Sequence, residues 1–501
     1  MASLLRHAWS ALAAVVVLAV PVQATAYEAE VEASTTAQAY QLNGRNGDPV
    51  LSRRRLTQTL GLGVYDLNGA AKPEGPRLFV RVRMRLDSDF ADSRAAWERS
   101  FDEQHYVAPP PPLPVDLMYG YVEGQRYVGG LVGFKVGRQV LVDPLGFYAF
   151  DGALVRLTTP AYFALETYGG LEVRAGLPLS TGRWELGGVQ RGSRDGLPTN
   201  RSTSFQQSFV APVYGVAVES VGPTWIHGRV TYRKAYNTGE VFVGAPAGPL
   251  IPGVGRPLGL GTFGGRRVSS ERLGYSLLAD VTSFATVRGS IIYDLYAQRV
   301  ASAEAGTDLT LSDAVIVGLD YSYWRPSFDA DSIFNAFNLN PIDDFSARIE
   351  INPTEHVSLE GDAMVRRYRA DDVDDVTRVA TSYAPGGGVR ARYVWSSARC
   401  TARFQVISGD QGDRYGSDYL CEKSFGRWIF DGRLSLWHFS DKTRLDENGR
   451  TRTATSFGYT IGGGYRFTPT TSALLQMEQD ANRLVGQRLR LMAVLHVRSW
   501  L

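Results

Sequence analysis

The side chains in this sequence that could carry chemistry are arginines that recur at every second position. Arg81, Arg83 and Arg85 alternate with apolar residues, and the same spacing returns in later segments. Side chains of a β-strand alternate between its two faces, so each such run places a row of guanidinium groups on one face. Guanidinium groups grip carboxylates and phosphates in a bidentate manner, and a row of them attracts anions. We therefore predict a surface that concentrates anions.

The arginine rows define a set of candidate pore-lining residues. They are Arg81, Arg83, Arg85, Arg390, Arg392, Arg399, Arg403, Arg427, Asp431, Arg433, Arg488 and Arg490. Neighbouring like charges repel in a confined, lower-dielectric channel, so we expect carboxylates such as Glu350, Glu360 and Asp362, together with Asp431, to neutralise some of them. The alternative is a balanced network of arginines and carboxylates that only stiffens the wall.

Other reactive groups do not form a recognisable site. The histidines are scattered without the spacing of metal ligands, and no P-loop, G-x-S-x-G or HExxH motif is present. Acidic clusters occur at Asp343-Asp344 and between Asp371 and Asp375, where loops could bind divalent cations that bridge lipopolysaccharide or simply carry solvated charge. We predict no enzyme, no metal site, no cofactor and no nucleic-acid partner. A hydrolase assembled from several strands is the minor alternative.

Two cysteines offer the remaining chemistry. Cys400 and Cys421 are equidistant from the turn at Gly409 to Asp413, so a hairpin centred there sets them opposite each other on one face. An exported protein meets an oxidising compartment, which permits a cross-strand disulfide. Directly opposed Cβ atoms are slightly too far apart for the bond, and a slip of one residue would separate the thiols. The alternative is two lipid-facing thiols.

The elements that carry these residues are strands with one apolar and one polar face. In Gly386 to Phe439 the period is two throughout, and Leu78 to Leu86 repeats it around the first arginines. The N-terminus combines a basic start, an apolar run from Ala11 to Val20 and Ala24-Thr25-Ala26, as in a secretory signal peptide. That run is shorter than the ~20 residues a spanning helix needs. We predict a signal peptide over 1–26 and one domain over 27–501.

The predicted domain is an all-β, transmembrane, antiparallel β-barrel. A mean hydropathy of −0.16 and a net charge of only +2 suit an apolar outer face around a wet interior. The strand count favours about 22, within a range of 18 to 24, with short periplasmic turns and long outer loops. Two segments are predicted to lie outside the wall as loops. Phe90 to Val115 contains a run of prolines, and Asn237 to Ser269 is rich in Gly and Pro.

Two short segments resemble known outer-membrane families. Gly137-Arg138-Gln139, followed by Phe150-Asp151-Gly152, resembles a motif of the alginate-export and related porin-like barrels. The final amphipathic strand resembles the C-terminal signature of bacterial outer-membrane proteins, although the aromatic Trp500 lies one place before the end. The first resemblance implies polysaccharide export, and the second implies recognition by the barrel-assembly machinery.

Together these features predict a channel in the bacterial outer membrane that passes anionic or sugar-based solutes. Polysaccharide export is the special case that the weak resemblance suggests. The alternative is a structural or docking barrel of an envelope complex for motility, adhesion or surface assembly. The expected partners are outer-membrane lipid and lipopolysaccharide, the barrel-assembly machinery, and periplasmic or envelope-complex proteins.

Overall fold

The computed structural model describes residues 28–44, 46–69, 75–89, 115–173, 211–237, 241–243, 261–263, 267–325, 341–369, 381–445, 451–483 and 486–500. The predicted signal peptide lies outside these residues. The strands are β1 Glu28–Asn43, β2 Pro49–Tyr65, β3 Arg77–Asp89, β4 Val115–Tyr127, β5 Val132–Asp143, β6 Gly146–Thr158, β7 Phe163–Glu172, β8 Pro212–Ser220, β9 Ile226–Asn237, β10 Val241–Val243, β11 Gly261–Phe263, β12 Arg267–Thr282, β13 Ala285–Asp294, β14 Arg299–Ser312, β15 Val315–Trp324, β16 Ile342–Thr354, β17 Val357–Tyr368, β18 Ser382–Trp395, β19 Ala398–Gly409, β20 Gly412–Phe425, β21 Trp428–Leu445, β22 Thr451–Thr468, β23 Thr471–Asn482 and β24 Gly486–Trp500.

All but two of these strands form one closed wall. The 22-stranded sheet pairs each strand with its neighbours in the chain in antiparallel fashion, and β9 pairs with β12 across the inserted β10–β11 hairpin. The pairing of β1 with β24 closes the cylinder, with Glu30 opposite Trp500 and Asn43 opposite Gln487. Closure removes the unpaired edges that so long a sheet would otherwise expose. The predicted antiparallel barrel of about 22 strands is confirmed.

The links between strands differ in length at the two ends of the barrel. Intervals of 90–114, 173–211, 325–341 and 369–381 all connect strands at one end. Most links at the other end are as short as 283–284, 313–314 or 426–427. Long links belong to the outer side and short turns to the periplasmic side in bacterial barrels, which orients the wall.

The two faces of the wall have opposite polarity. Large apolar side chains at alternate positions are exposed, as Val389, Ile461 and Leu475 illustrate, and the positions between them carry most of the ion pairs. Exposed aromatics mark both ends of the apolar band: Tyr162, Trp225, Phe284 and Phe425 lie at the periplasmic end, and Phe147, Phe345, Tyr383 and Tyr415 lie toward the outer end. A closed barrel with an apolar outer band, aromatic girdles and a polar interior is an outer-membrane barrel of the porin type.

The structure corrects several sequence-based boundaries. Within Asn237 to Ser269 it forms the separate β10–β11 hairpin, and Arg267 to Ser269 already belongs to wall strand β12. Asp343 and Asp344 are residues of β16 and not of a loop. Val115 begins β4, whereas 90–114 and the acidic run at 371–375 lie outside the described residues. No helix among the described residues is long and apolar enough to cross a membrane.

Candidate functional site

The candidate pore-lining residues lie on the wall strands with one exception. Their side chains point away from the exposed apolar residues, and therefore into the lumen. Arg427 is the exception, because it belongs to the periplasmic turn between β20 and β21 and donates from Nη1 to the Phe467 carbonyl at 3.3 Å. Its inclusion among the strand residues was wrong by one position, since β21 begins at Trp428.

Most of the other candidates are engaged by carboxylates. Arg83 pairs with Glu32, Arg85 with Asp87 and Asp116, Arg390 with Glu360, Arg433 with Asp418, and Arg488 and Arg490 with Glu478. Of the carboxylates expected as partners, only Glu360 pairs with an arginine among the described residues. Glu350 accepts a hydrogen bond from Ser358, and Asp431 lies 3.5 Å from the Gln476 amide. The sequence indicated the right side of the wall but, of the four carboxylates expected as partners, only Glu360 correctly.

Three arginines on β18 and β19 have no ion-pair partner among the described residues. We call Arg392, Arg399 and Arg403 the arginine patch. Toward β18, Arg403 lies opposite Arg390, Arg392 opposite Thr401, and Arg399 opposite Val394. Toward β20, Arg399 lies opposite Glu422 and Arg403 opposite Asp418, but neither carboxylate forms an ion pair with the patch, and Asp418 is held by Arg433. Two of the three are exposed and the third is half-buried. The patch therefore combines like charges with open access to the lumen near its periplasmic end.

A second group of charges lies on β6 to β9 and was not predicted. We call Arg156, Glu166, Glu219 and Arg229 the charge ladder. Arg229 donates from Nη2 to Glu166 Oε1 at 2.6 Å and from Nη1 to Glu219 Oε2 at 2.9 Å, and Arg156 Nη1 reaches the same Glu219 oxygen at 2.8 Å. Two cations, on β6 and β9, thus enclose two anions on the intervening strands β7 and β8. These residues stand singly in sequence, so only their cross-strand register could have revealed the group.

A comparable balanced group lies on β13 to β16. Arg288 and Arg348 each contact both Asp308 and Asp320, and Arg288 Nη1 lies 2.5 Å from Asp308. Because every charge there faces an opposite charge, this group adds little net potential to the lumen. Balanced groups therefore occupy two sectors of the wall, while the arginine patch occupies a third.

The tip of the β5–β6 hairpin packs against the inside of the wall. Its Leu145 carbonyl accepts a hydrogen bond from Arg233 Nη2 at 3.2 Å, and a Cβ atom on Gly274 would lie 2.7 Å from the Leu145 side chain. Both contacts are with strands β9 and β12, which are not sheet neighbours of the hairpin. Beside it a buried cluster fills the inner face, comprising Tyr148, Phe150, Leu154, Tyr168, Val213 and Ala235. This sector narrows the lumen with packed side chains.

The two cysteines lie on the lipid side of the wall. Cys400 of β19 is directly opposite Cys421 of β20, and the structure joins them as a disulfide with Cα atoms 4.2 Å apart. Both share the outward face with exposed Phe404 and Tyr419. The pair lies toward the periplasmic end of β19 and β20, away from the turn that joins these two strands, and it does not face the lumen. Within the described part of the chain no cluster of three His, Cys, Asp or Glu side chains could hold a metal ion.

No family model matches the chain, and no curated protein is similar to it in sequence. Several solved outer-membrane protein structures resemble it at low identity. OccAB4 of Acinetobacter baumannii is 8% identical, with 96% of this chain and 100% of that one covered and a TM-score of 0.42. The outer membrane protein OpdK of Pseudomonas aeruginosa is 9% identical over 94% and 99%, with a TM-score of 0.39. OpdQ of the same organism is 10% identical over 95% and 98%, with a TM-score of 0.41.

Proposed function

We propose that the protein is an outer-membrane channel that prefers small anionic solutes. The observation that carries this proposal is the arginine patch, whose three guanidinium groups face the lumen without an ion-pair partner among the described residues. The charge ladder and the balanced group on β13 to β16 contain equal numbers of cations and anions. Of the two carboxylates directly opposite the patch on β20, Asp418 is held by Arg433, and Glu422 remains. Three guanidinium groups thus exceed the carboxylate charge directly opposite them, which supports a positive bias on this side of the lumen.

The positive potential of the arginine patch extends far enough into the lumen to attract a passing anion. Fixed charges are felt over about 8 Å at physiological ionic strength, and screening is weaker beside a low-dielectric wall. An anion that enters from the periplasmic mouth would meet Arg399 and Arg392 first, because both lie within a few residues of the periplasmic ends of β19 and β18. Their guanidinium groups would replace part of its hydration shell with charge-assisted hydrogen bonds. Carboxylates and phosphates fit this geometry best, so we propose solutes that carry one of these groups.

Polysaccharide export is not part of the proposal. It depended on the short Gly137 to Gln139 and Phe150 to Gly152 segments, and no family model supports that resemblance. A docking barrel with a blocked pore is the second candidate. The observation that favours it is the inward-packed β5–β6 hairpin, which takes up lumen space next to the buried cluster.

Reversal potentials in a planar bilayer under a KCl gradient test the proposal. The native protein should conduct and prefer chloride to potassium. The triple variant R392Q/R399Q/R403Q should lose most of that preference, because it removes the unpaired cations and leaves the paired groups intact. Selectivity in the native protein should also weaken at 1 M salt, where the screening length falls to about 3 Å.

Lys423 provides a matched control. It carries a positive charge at the same periplasmic end but lies on the outward face, 4.9 Å from the Trp395 ring. K423Q should keep the selectivity of the native channel, whereas R403Q alone should already reduce it. Cation preference in the native protein would contradict the proposal. A folded barrel without measurable conductance would instead favour the docking barrel.

A further inference from the structure

We propose that the outer face of β14 to β18 binds a phosphorylated glycolipid of the outer leaflet, of the lipopolysaccharide type. Two arginines at the outer end of the wall would hold its phosphate, and an apolar groove below them would hold an acyl chain. The site is on the lipid side and is separate from the lumen and its arginine patch.

The polar part of the site is built around a buried carboxylate. Asp343 of β16 is fully buried although it belongs to the outward face, as the exposed residues Phe345 and Ile349 at alternate positions show. Its oxygens accept hydrogen bonds from the Tyr321 hydroxyl at 2.9 Å and from Arg367 Nε at 2.8 Å. Arg369 adds Nε at 2.5 Å and Nη2 at 2.6 Å.

Two guanidinium groups therefore share one carboxylate, which leaves one positive charge in excess among the described residues of the cluster. Arg369 grips Asp343 in a bidentate manner and lies 5.0 Å above the Tyr323 ring. Arg367 bonds Asp343 through Nε, and its side chain is 31% exposed. The arginines are thus held in fixed positions by Asp343 and remain accessible for a second anion, as a preorganised phosphate site requires.

The apolar part is a groove of about 660 Å³ on the same face. Its floor includes the small residues Ala305, Ala347 and Ala363, and Leu319 and Val365 are bulkier members of its lining. Tyr321 and Phe345 stand at its outer end with ring centroids 4.8 Å apart, and Tyr321 also donates to Asp343. The groove and the arginine cluster are therefore continuous through one tyrosine.

The position of the site selects its occupant. The outward face of a barrel is covered by the bilayer, and charged residues appear where the apolar band ends. On β16 the outward residues are Asp343 and then the apolar Phe345, Ala347, Ile349 and Ile351 toward the periplasm. Asp343 and the arginines consequently lie at the headgroup level of the outer leaflet. A glycolipid with a phosphate on its sugar and acyl chains beneath it matches this order of positive charge, aromatic rings and groove.

A second outward cluster shows that a tyrosine-rich girdle need not carry excess charge. On β9 and β12, Lys234 lies 3.4 Å from Glu271, and Tyr232 donates to the same carboxylate at 2.9 Å. Lys234 also lies over the Tyr236 ring. This cluster pairs one cation with one anion at a similar depth, and so it serves as the matched comparison.

The test measures binding of purified lipid A to the full-length barrel in detergent, by native mass spectrometry with titration. The native protein should bind bisphosphorylated lipid A, and removal of its phosphates should weaken binding about tenfold, since each tenfold step corresponds to loss of one strong charge-assisted contact. The variant D343N/R367Q/R369Q should bind bisphosphorylated lipid A about tenfold more weakly than the native protein does. It removes the carboxylate together with its cations, so no unpaired charge stays buried.

The control K234Q should bind lipid A as the native protein does. A347L/A363L, which fills the groove and leaves the arginines in place, should weaken binding of lipid A but not of inorganic phosphate. Heat-modified migration in gels would show that each variant still forms a barrel.

Two results would overturn the proposal. One is equal affinity of the native protein and D343N/R367Q/R369Q for lipid A. The other concerns the four aspartates at 371, 372, 374 and 375, which follow Arg369 in sequence. If lipid A bound only after their replacement by asparagine, the chain's own acidic segment and not a glycolipid would be the partner of the arginines.

Discussion

The charge ladder on β6 to β9 and the arginine patch on β18 to β19 use the same residue type on the same inner wall, with opposite results. In the ladder Arg229 binds carboxylates on β8 and β7. In the patch Arg403 lies between Arg390 on β18 and Asp418 on β20, and Asp418 is already held by Arg433. One ladder residue is buried and three are half-buried, whereas two of the three patch residues are exposed. The comparison teaches that cross-strand neighbours, and not the number of arginines, determine whether a wall charge serves stability or electrostatic attraction.

Breaking the ladder should have the largest effect on stability. Arg229→Gln would leave Glu166, whose side chain is only 10% exposed, with Arg156 at 3.7 Å as its remaining cation. Removing one partner of a buried ion pair lowers the free energy of unfolding by more than the intact pair adds to it, because the remaining charge stays desolvated and unpaired. We expect the free energy of unfolding to fall by about 2–3 kcal/mol. Urea unfolding of the barrel in detergent micelles, followed by tryptophan fluorescence, measures it.

The double variant E166Q/R229Q sharpens this test. It removes one charge of each sign, so it should recover at least half of the loss seen in Arg229→Gln. If both variants unfolded at the native urea concentration, the ladder would be a solvated network without structural importance.

Removing the patch should affect stability much less. In R392Q/R399Q/R403Q no carboxylate of the described residues loses an ion pair, and three like charges disappear. The free energy of unfolding should therefore change by less than about 0.5 kcal/mol or increase slightly. The same urea series gives the value. A loss as large as that of Arg229→Gln would mean that the patch has structural partners, and the distinction between the two regions would fail.

The smallest expected effect is a dependence of stability on pH at Asp66. Asp66, in the turn after β2, accepts two hydrogen bonds of 2.6 Å from Arg77, and these lower the pKa of the Asp66 carboxyl below its usual value of 3.8. A lowered folded-state pKa contributes stability above the unfolded value, and this contribution disappears as the pH falls through the folded pKa. At pH 7 the unfolding midpoint of the native barrel should be higher than that of Asp66→Asn. This difference in midpoint should disappear as the pH falls below about 4.

Asparagine is the suitable replacement because Asp66 has a φ of 57°, a conformation that asparagine tolerates. The patch variant should show the same pH dependence as the native barrel, since it leaves the pair of Asp66 and Arg77 in place. A constant difference between native protein and Asp66→Asn at all pH values would assign the contribution to hydrogen-bond geometry and not to charge.

The fold could be predicted because its signal is local. Alternation along a strand depends only on the strand itself, so the faces of β3, β18 and β19 and the approximate strand number followed from sequence. The position of Cys400 opposite Cys421 also followed, because a two-residue turn at Asp410-Gln411 fixes the register of β19 and β20.

The candidate site was predicted less well because its properties depend on neighbours from other strands. Arg83 and Arg392 look alike in sequence, yet Glu32 from β1 neutralises only the first. A register shift of one residue would exchange every such partner. The inward position of Leu145 was missed because its contacts are with β9 and β12, which are not neighbours of its hairpin. The outward cluster at Asp343 joins the consecutive strands β15 to β17, but a long link precedes β16, so the sequence did not fix the register that brings its members together.

The seam between β1 and β24 constrains how the protein is made. Nearly every other strand pair joins consecutive segments and can form as soon as its hairpin is present, whereas the pairing of Glu30 with Trp500 joins opposite ends of the chain. Contacts between distant residues form slowly because the intervening chain must first lose entropy. Until that step the sheet has two free edges, β1 and β24, which can pair with another chain. The wall therefore cannot close before β24 is available to pair with β1, however early the intervening hairpins form.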